Sequence, residues 1–367
     1  MIPINYYNPT RYIFARSCVK AQADLLASCG SKALIVTGKH SAKACGALDD
    51  VTEALTSRGC TYAIYDEAKE NPTIDSVRKG IALLREEKAD FVIGIGGGSP
   101  MDTGKAIAFL AANEISDDQI FNKSLYKNPG LPTVMIPTTS GTGSEVTQYA
   151  ILMNDAKHSK TSISTPMIFP KLALLDPTYT MSVGTRTTRN TAADALSHAA
   201  EGVLSQRGDS MITTVALEAI RAISACFPAL EAETLGYEER EKLMYGSLLA
   251  GLVLAHTSTT TVHAMGYSLT YGNNIPHGRA NGLLLPGYFR FVAKTHPDTV
   301  KSILDAMNMK SIDEFAAVFT ALLGSEERLS DEVIEAYTNT VMTLPNIPNS
   351  LSVPTREDVI EMYHTML

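Results

Sequence analysis

The feature that most restricts how this chain can fold is a regular alternation of short apolar runs and helical segments between residues 30 and 178. The apolar runs have the length of β-strands, and each ends at a glycine, a proline or an aspartate. Strands that alternate with helices form a mainly parallel sheet with helices on both faces. The predicted strands are Lys32–Gly38, Tyr62–Asp66, Phe91–Gly96, Thr133–Pro137 and Leu172–Asp176.

The chain changes character beyond residue 178, where Ala, Leu, Met and Glu are frequent and β-branched runs are few. This pattern favours helices. We therefore expect an α/β domain over residues 1–178 and an all-helical domain over residues 179–367. The predicted helices are Asn190–Leu204, Ser210–Phe227, Glu238–Ala255, Val262–Tyr271, Gly282–Lys294, Ile312–Leu323, Ser330–Thr343 and Arg356–Met366.

The composition excludes several classes of partner. With 31 basic and 39 acidic side chains the formal charge is -8, which argues against a general nucleic-acid binder. No apolar run reaches the length of about 18 residues that a membrane span needs. The five cysteines lack a C-x-x-C pair, and the first residues do not resemble a signal peptide. These features predict a cytoplasmic protein that neither binds nucleic acid in general nor spans a membrane.

A glycine run follows the third predicted strand. Gly96, Gly97 and Gly98 let a backbone approach an anion closely, and Ser99 is predicted to cap the next helix. The free N–H groups of a helix start suit a pyrophosphate. The same residues also suit a tight turn without a ligand, so the pattern alone leaves both interpretations open.

A second unusual loop, Thr138–Glu145, follows the fourth predicted strand and consists almost wholly of hydroxyl residues and glycine. Threonine and serine hydroxyls can donate to phosphate or ribose oxygens. The alternative is a polar surface loop. Ligands of parallel sheets bind beyond the carboxyl ends of the strands, where both loops lie. The usual G-x-G-x-x-G fingerprint does not follow the first strand.

The helical half contains a candidate metal site. Asp194 and His198 are four residues apart on a predicted helix, so both side chains leave the same face. A carboxylate and an imidazole so placed can bind one divalent ion, with His263 and His277 as two further candidate ligands. An isolated pair of this kind is more often a surface ion pair. His263 is expected near a helix start, and His277 on a constrained loop between Pro276 and Gly278.

Together these segments resemble the iron-containing (group III) alcohol dehydrogenases, a family with propanediol dehydrogenases, lactaldehyde reductases and butanol dehydrogenases. The resemblance spans residues 33–281. It implies an architecture similar to that of dehydroquinate synthase, with a dinucleotide-binding α/β domain and an all-helical metal-binding domain. The matching segments are Gly96–Asp102, Pro137–Val146, Asp176–Pro177, Asp194–Glu201, His263–Gly266 and Pro276–Asn281.

The resemblance implies roles for individual residues. The catalytic metal, Fe(II) with Zn as the alternative, would be held by Asp194, His198, His263 and His277. The pyrophosphate would lie on Gly96, Gly97, Gly98 and Ser99. The nicotinamide and its ribose would contact Asp102, Thr138, Thr139, Thr142 and Lys160.

The chain departs from the family pattern at the end of the first strand. Members that prefer NAD commonly carry an aspartate where this chain has Gly38, and that carboxylate repels a 2′-phosphate. Its absence, together with the nearby Lys39, His40, Ser41 and Lys43, predicts a preference for NADP(H) over NAD(H). Gly38, Lys39 and Ser41 are accordingly predicted to bind the cofactor.

A second departure is Tyr267, which stands where many members have a further histidine with a part in proton transfer. Either the phenol replaces that histidine, or protons move through water and the ribose hydroxyls. We favour water and ribose, because a phenol pKa near 10 makes a poor relay at neutral pH. Tyr149, Leu254 and Tyr267 are weak candidates for lining a substrate pocket that suits small aliphatic alcohols, diols and aldehydes.

The sequence therefore predicts a metal-dependent alcohol dehydrogenase or aldehyde reductase that transfers a hydride between NADP(H) and a small substrate. One alternative is an enzyme resembling the NAD- and zinc-dependent glycerol dehydrogenases. A more distant one is a lyase resembling dehydroquinate synthase. We expect a homodimer or larger homo-oligomer, in which the extended segment Arg11–Phe14 could pair across subunits.

Overall fold

The computed structural model describes residues 4–154, 159–325 and 327–366. The chain divides into two compact units, of which one is Asn8–Val183 and the other joins Gly184–Leu367 to Met1–Tyr7. The division follows Val183, a little beyond the boundary predicted after residue 178. No helix in the described ranges combines the length and the apolar character needed to cross a membrane.

The N-terminal unit is built on a six-stranded sheet in which every pair of neighbouring strands is parallel. The order across the sheet is β1-β8-β5-β4-β2-β3, and a separate antiparallel hairpin pairs β6 with β7. The strands are β1 Arg11–Phe14, β2 Lys32–Thr37, β3 Thr61–Tyr65, β4 Phe91–Gly96, β5 Thr133–Pro137, β6 Tyr149–Asn154, β7 Ser159–Ser164 and β8 Leu172–Leu175.

Both faces of this sheet are buried, as its apolar strands predict. Successive side chains of a strand point to opposite faces, and Ile35 and Ile93 belong to one hydrophobic cluster while Leu34 and Val92 belong to another. Helices cover the sheet because each apolar face must be removed from water. They are α1 Cys18–Ala21, α2 Ala23–Ala27, α3 Ser41–Ala44, α4 Ala47–Thr56, α5 Ile74–Glu86 and α6 Gly98–Ala112.

The other unit is helical, and its core is one large cluster of buried aliphatic and aromatic side chains. Its helices are α7 Thr185–Val203, α8 Ser210–Ser224, α9 Phe227–Glu231, α10 Tyr237–Thr257, α11 Thr261–Asn273, α12 His277–Ala293, α13 Pro297–Ala306, α14 Ile312–Leu323, α15 Asp331–Val341 and α16 Arg356–His364. The predicted α/β and all-helical classes are both confirmed.

Several predicted helix boundaries are wrong. The helix of Asp194 begins at Thr185 with Gly184 as its N-cap, so Asn190 lies inside α7 and does not cap it. The helix predicted from Gly282 begins at His277, so this histidine is the first residue of α12 and does not lie on a loop. The start of α12 was not predicted because it contains glycines, and glycine has a low helix propensity.

Candidate metal centre and cofactor loops

The candidate metal centre begins on α7. This helix is rich in alanine, which favours helix formation and lets neighbouring helices pack closely. Asp194 and His198 follow each other by one turn, and only 3% and 6% of their surfaces are exposed. Their position away from solvent rules out the surface ion pair that the sequence left open.

The first turns of helices α11 and α12 also lie at this candidate metal centre. His263 is the third residue of α11 and is 1% exposed, and His277 begins α12. One ligand atom from each of Asp194, His263 and His277 lies within 4.8 Å of the others. Asp194 Oδ1 is 3.7 Å from Nε2 of both histidines. The His198 ring stacks on the His263 ring with centroids 4.5 Å apart.

These distances and donor types fit a divalent metal. Two ligand atoms that are each about 2.1 Å from one ion lie at most about 4.2 Å apart, and the 3.7 Å from Asp194 Oδ1 to each histidine falls within that limit. Imidazole nitrogens with one carboxylate oxygen suit iron and zinc alike. The His277 side chain is 26% exposed, whereas that of His263 is 1% exposed. The centre therefore opens towards solvent on the His277 side, where a substrate oxygen can approach.

The carboxylates and imidazoles of the cluster stabilise one another's charged forms. Burial by itself would raise the pKa of Asp194, but the charges of His198 and His277 and a hydrogen bond with His263 hold it well below the usual range. Burial would likewise lower the pKa of His263, but the nearby Glu201 and Asp194 carboxylates raise it to about 9. A metal ion bound at a histidine nitrogen requires that nitrogen to be free of its proton.

Sequence reasoning missed two residues around these ligands. Asn281 is fully buried, donates from Nδ2 to Asp194 Oδ1 at 2.9 Å and lies 3.1 Å from His263 Nε2. Glu201 is also fully buried and is hydrogen-bonded to His263 Nδ1. A signal for both was present, since Glu201 is seven residues after Asp194 and Asn281 is four residues after His277.

Glycines bring α12 close to α7 at this centre. A Cβ on Gly278 would lie 2.0 Å from the carbonyl oxygen of Asn190 and 2.9 Å from Cβ of Asp194. A Cβ on Gly266 would lie 2.1 Å from Oδ1 of Asn281. The ligands on separate helices meet because these positions carry no side chain.

In the N-terminal unit, the two predicted cofactor loops lie side by side. Gly96 and Pro137 are paired in neighbouring strands, and Thr138 N donates to Gly96 O at 2.9 Å. A Cβ on Gly98 would lie 2.8 Å from Cγ2 of Thr142, and one on Gly97 would lie 3.3 Å from Oγ1 of Thr139. Both loops therefore form one surface at the carboxyl end of the sheet.

This surface suits a pyrophosphate. Gly96 has a φ of 149°, which favours glycine, and Gly97 caps α6 without a side chain. The first N–H groups of a helix of 15 residues are thus directed at the loop. Ser99 was expected to be the N-cap, which is wrong, because α6 begins at Gly98. The strand order reverses between β2 and β4, which is where sheets of this type bind ligands.

Asp102, which was predicted to contact the cofactor, is held by several contacts within the protein. Its carboxylate accepts from Ser144 Oγ at 2.6 Å and from Ile151 N at 3.0 Å, and it lies 3.3 Å from the Lys105 ammonium. Lys105 is fully buried and donates to the carbonyl of Ser144 at 2.9 Å. Asp102 and Lys105 therefore fix the loop that carries Thr138, Thr139 and Thr142.

The remaining predicted residues are distributed over both units. Gly38 is half-buried just after β2, and Lys39 and Ser41 are exposed beside it. Lys160 and Tyr149 are half-buried on the β6–β7 hairpin. In the helical unit, Leu254 lies on α10 and is 9% exposed. Tyr267 stacks on His277 with ring centroids 5.4 Å apart and planes 11° from parallel.

A parallel sheet with a glycine turn at its switch point, in one chain with a buried cluster of carboxylate and imidazoles, is typical of metal-dependent dehydrogenases that use a dinucleotide. The model of the iron-containing alcohol dehydrogenase family matches residues 9–177, and the model of its C-terminal domain matches residues 188–367. The chain belongs to the iron-containing alcohol dehydrogenase family. Membership implies iron and a nicotinamide dinucleotide as cofactors.

Individual relatives agree with this assignment. The chain is 34% identical to 1,3-propanediol dehydrogenase of Klebsiella pneumoniae over 83% of its length and 77% of the relative's. It is 32% identical to lactaldehyde reductase of Escherichia coli K12, with 96% of each chain covered. An iron-containing alcohol dehydrogenase structure from Thermotoga maritima superposes with a TM-score of 0.91, 35% identity and 99% coverage of both chains.

A fourth relative was solved with its cofactor. The sulfoacetaldehyde reductase of Bifidobacterium kashiwanohense, in complex with NAD+, superposes with a TM-score of 0.89 and 28% identity. The match covers 100% of this chain and 99% of that one.

Proposed function

We propose that this alcohol dehydrogenase interconverts small aliphatic alcohols or diols and their aldehydes, with NADP(H) as the hydride carrier and Fe(II) as the bound metal. The observation that carries the proposal is the meeting of ligand atoms from Asp194, His263 and His277, with the His198 ring stacked against His263. Four such side chains from three helices leave one or two coordination positions for a substrate oxygen.

Each group has a distinct part in this mechanism. When bound, the metal supplies Lewis-acid polarisation of the substrate oxygen and the nicotinamide supplies the hydride. Asp194, His198, His263 and His277 hold the ion away from bulk water, and the exposed side of His277 admits the substrate. Gly96, Gly97, Gly98 and Ser99 bind the pyrophosphate through backbone N–H groups. Thr138, Thr139, Thr142 and Lys160 orient the nicotinamide ribose, with Asp102 holding their loop.

Substitution of His263 tests the metal assignment. Anaerobically reconstituted wild-type protein is expected to bind close to one iron per chain, and His263→Ala is expected to lose both the tightly bound metal and turnover. Metal content by mass spectrometry distinguishes Fe from Zn in protein purified from cells. A His263→Ala variant with wild-type metal content and activity would contradict the proposed metal site.

The preference for NADP(H) is supported by the end of β2. No carboxylate stands at Gly38, a Cβ there would lie 3.5 Å from the carbonyl of Ala68, and Lys39 is exposed next to it. A cation near the adenosine ribose favours a 2′-phosphate, and an aspartate would repel it. Initial rates with NADPH and NADH test this directly, and Gly38→Asp is expected to shift the preference towards NADH. A wild-type preference for NADH of about tenfold would overturn the proposal.

The substrate class is supported by relatives that are named for 1,3-propanediol and lactaldehyde. Half-buried Tyr149 and Tyr267 and buried Leu254 offer aromatic and aliphatic surface rather than charge. A panel of short aldehydes and diols, with the iron-loaded enzyme and both cofactors, is the deciding assay. For the proposed homo-oligomer, β1 forms an edge of the sheet that a second copy could extend, and light scattering after gel filtration gives the assembly mass.

A further inference from the structure

Behind His263, on the side away from Asp194, lies the carboxylate of Glu201. Asp194, His198 and Glu201 occupy one face of α7 because they are spaced by four and three residues. Glu201 is fully buried, and its carboxylate reaches across to the start of α11. It is not one of the three ligand atoms that gather at the centre.

One oxygen of Glu201 caps α11. Oε1 accepts from Thr260 N at 3.0 Å, from Thr260 Oγ1 at 2.6 Å and from His263 N at 3.3 Å. Thr260 is the N-cap residue of α11, but its own side chain makes no capping hydrogen bond. Glu201 therefore satisfies two backbone N–H groups that a helix start leaves open, and its negative charge suits the positive end of the helix.

The other oxygen of Glu201 contacts the imidazole ring of His263. Oε2 is hydrogen-bonded to His263 Nδ1. Oε1 accepts from two backbone N–H groups and one hydroxyl, which favours the ionised form of Glu201. An ionised carboxylate can only accept, so the proton in the contact with Oε2 belongs to His263 Nδ1. Nε2 is then the nitrogen whose lone pair is left for a metal ion, and it lies 3.7 Å from Asp194 Oδ1.

Capping alone does not account for this arrangement. A threonine at the N-cap position can cap its helix without help, and a buried carboxylate is expensive to desolvate unless it has partners of its own. The contact between Oε2 and His263 Nδ1 adds nothing to the cap. It fixes the tautomer and the ring direction of a residue that the proposed function makes a metal ligand.

We propose that Glu201 is a positioning residue of the metal centre, which sets metal affinity by holding His263 with its proton on Nδ1 and its lone pair on Nε2. The proposal rests on the proposed role of His263 as a ligand. Carboxylates that bind the far nitrogen of a ligating histidine change metal affinity by about 10- to 100-fold in general.

The test is a titration of metal-free protein with cobalt(II) chloride at pH 8.5, followed by the visible absorption of the bound ion. In Glu201→Gln, the amide oxygen can still cap α11, but the amide nitrogen donates to Nδ1 and drives the proton of His263 onto Nε2. We expect the cobalt dissociation constant to rise at least about tenfold. An unchanged dissociation constant overturns the proposal.

Thr260→Val is the matched control, because it removes one donor to Oε1 and leaves the contact between Oε2 and His263 in place. It is expected to lower thermal stability while the cobalt dissociation constant stays within about threefold of wild type. If Thr260→Val and Glu201→Gln weaken cobalt binding equally, the effect belongs to the helix cap and the proposal is wrong.

Two further measurements separate the possible failures. If His263→Ala binds cobalt like the wild type, the metal assignment itself fails; if only Glu201→Gln binds normally, the site stands and the role of Glu201 fails. A long-range proton–nitrogen NMR correlation of zinc-loaded wild-type protein needs no folded variant. It is expected to show the His263 proton on Nδ1, and a proton on Nε2 overturns the proposal.

Discussion

Adding one methyl group at Gly278 is expected to disable the metal centre although no proposed ligand is replaced. Gly278 follows His277 in α12 and faces α7, where its Cβ would lie 2.0 Å from the carbonyl oxygen of Asn190. The same atom would lie 2.9 Å from Cβ of Asp194. Gly278→Ala therefore forces the start of α12 away from the helix that carries the opposing ligand.

The size of the displacement follows from these distances. Ordinary contact begins at 3.4 Å, so relief of the 2.0 Å contact moves the helices apart by roughly 1 Å or more. Metal–ligand distances tolerate only about 0.2 Å. We expect about 1–3 kcal/mol of lost stability from overpacking, and about 100-fold lower kcat/KM from a misplacement of about 1 Å.

Cobalt(II) titration of the metal-free protein and kcat/KM of the iron-loaded enzyme measure the two effects. Gly184→Ala is the control, because Gly184 lies in the same unit with ordinary backbone angles and a Cβ there would meet nothing within 4 Å. It is expected to stay within about twofold of wild type in both assays, since an alanine cap costs at most about 1 kcal/mol. A Gly278→Ala enzyme with wild-type metal affinity and kcat/KM would refute the claim that close approach of α12 and α7 forms the site.

Three more substitutions test other parts of the molecule. Lys105→Met is expected to cost about 3 kcal/mol in urea unfolding and to weaken NADP(H) binding, because Asp102 stays buried without its cation; unchanged cofactor affinity would contradict this. Burial raises the pKa of Glu145 to about 7, so its contribution to stability is present below pH 4.5 and lost as the pH rises through 7. Glu145→Gln should therefore raise Tm at pH 8 but not at pH 4. An equal change in Tm at both pH values would count against the raised pKa of Glu145. Tyr267→Phe keeps the ring that stacks on His277, so kcat/KM and its pH profile should stay within about threefold of wild type; a loss above tenfold would assign proton transfer to the hydroxyl.

The two strands whose predicted bounds agree with the structure are completely buried. Phe91–Gly96 and Thr133–Pro137 agree with the structure at both ends, because continuous apolar runs between glycine and proline mark buried parallel strands. Arg11–Phe14 was not predicted as a sheet strand, since it is short and lies at an edge with two exposed residues. The β6–β7 hairpin was missed because β7, Ser159–Ser164, consists almost wholly of polar residues.

At the candidate site, too, local sequence patterns revealed some residues and missed those that depend on long-range contacts. Spacing on one helix revealed Asp194 and His198, since residues four apart must share a face. The partner of Glu201 lies 62 residues away along the chain, so no local pattern could indicate that this carboxylate binds His263. The start of α12 was misplaced for a related reason. Gly278 and Gly282 weaken a helix taken alone, but they are favoured here by close contacts with Asn190 and Ala193 of α7.

Polar contacts within the protein hold the candidate metal ligands on both sides of His263. Asn281 donates to Asp194 and lies beside the Nε2 atoms of His263 and His277 at 3.1 and 3.4 Å, so one amide spans the three ligand atoms. Glu201 holds the opposite side of His263. With both sides of the ring held and Asp194 Oδ1 3.7 Å from the Nε2 atoms of His263 and His277, we expect binding of an ion to need little reorganisation. The Glu201 and Asp194 carboxylates also raise the pKa of His263 to about 9, and a divalent ion bound here would add positive charge beside these same carboxylates.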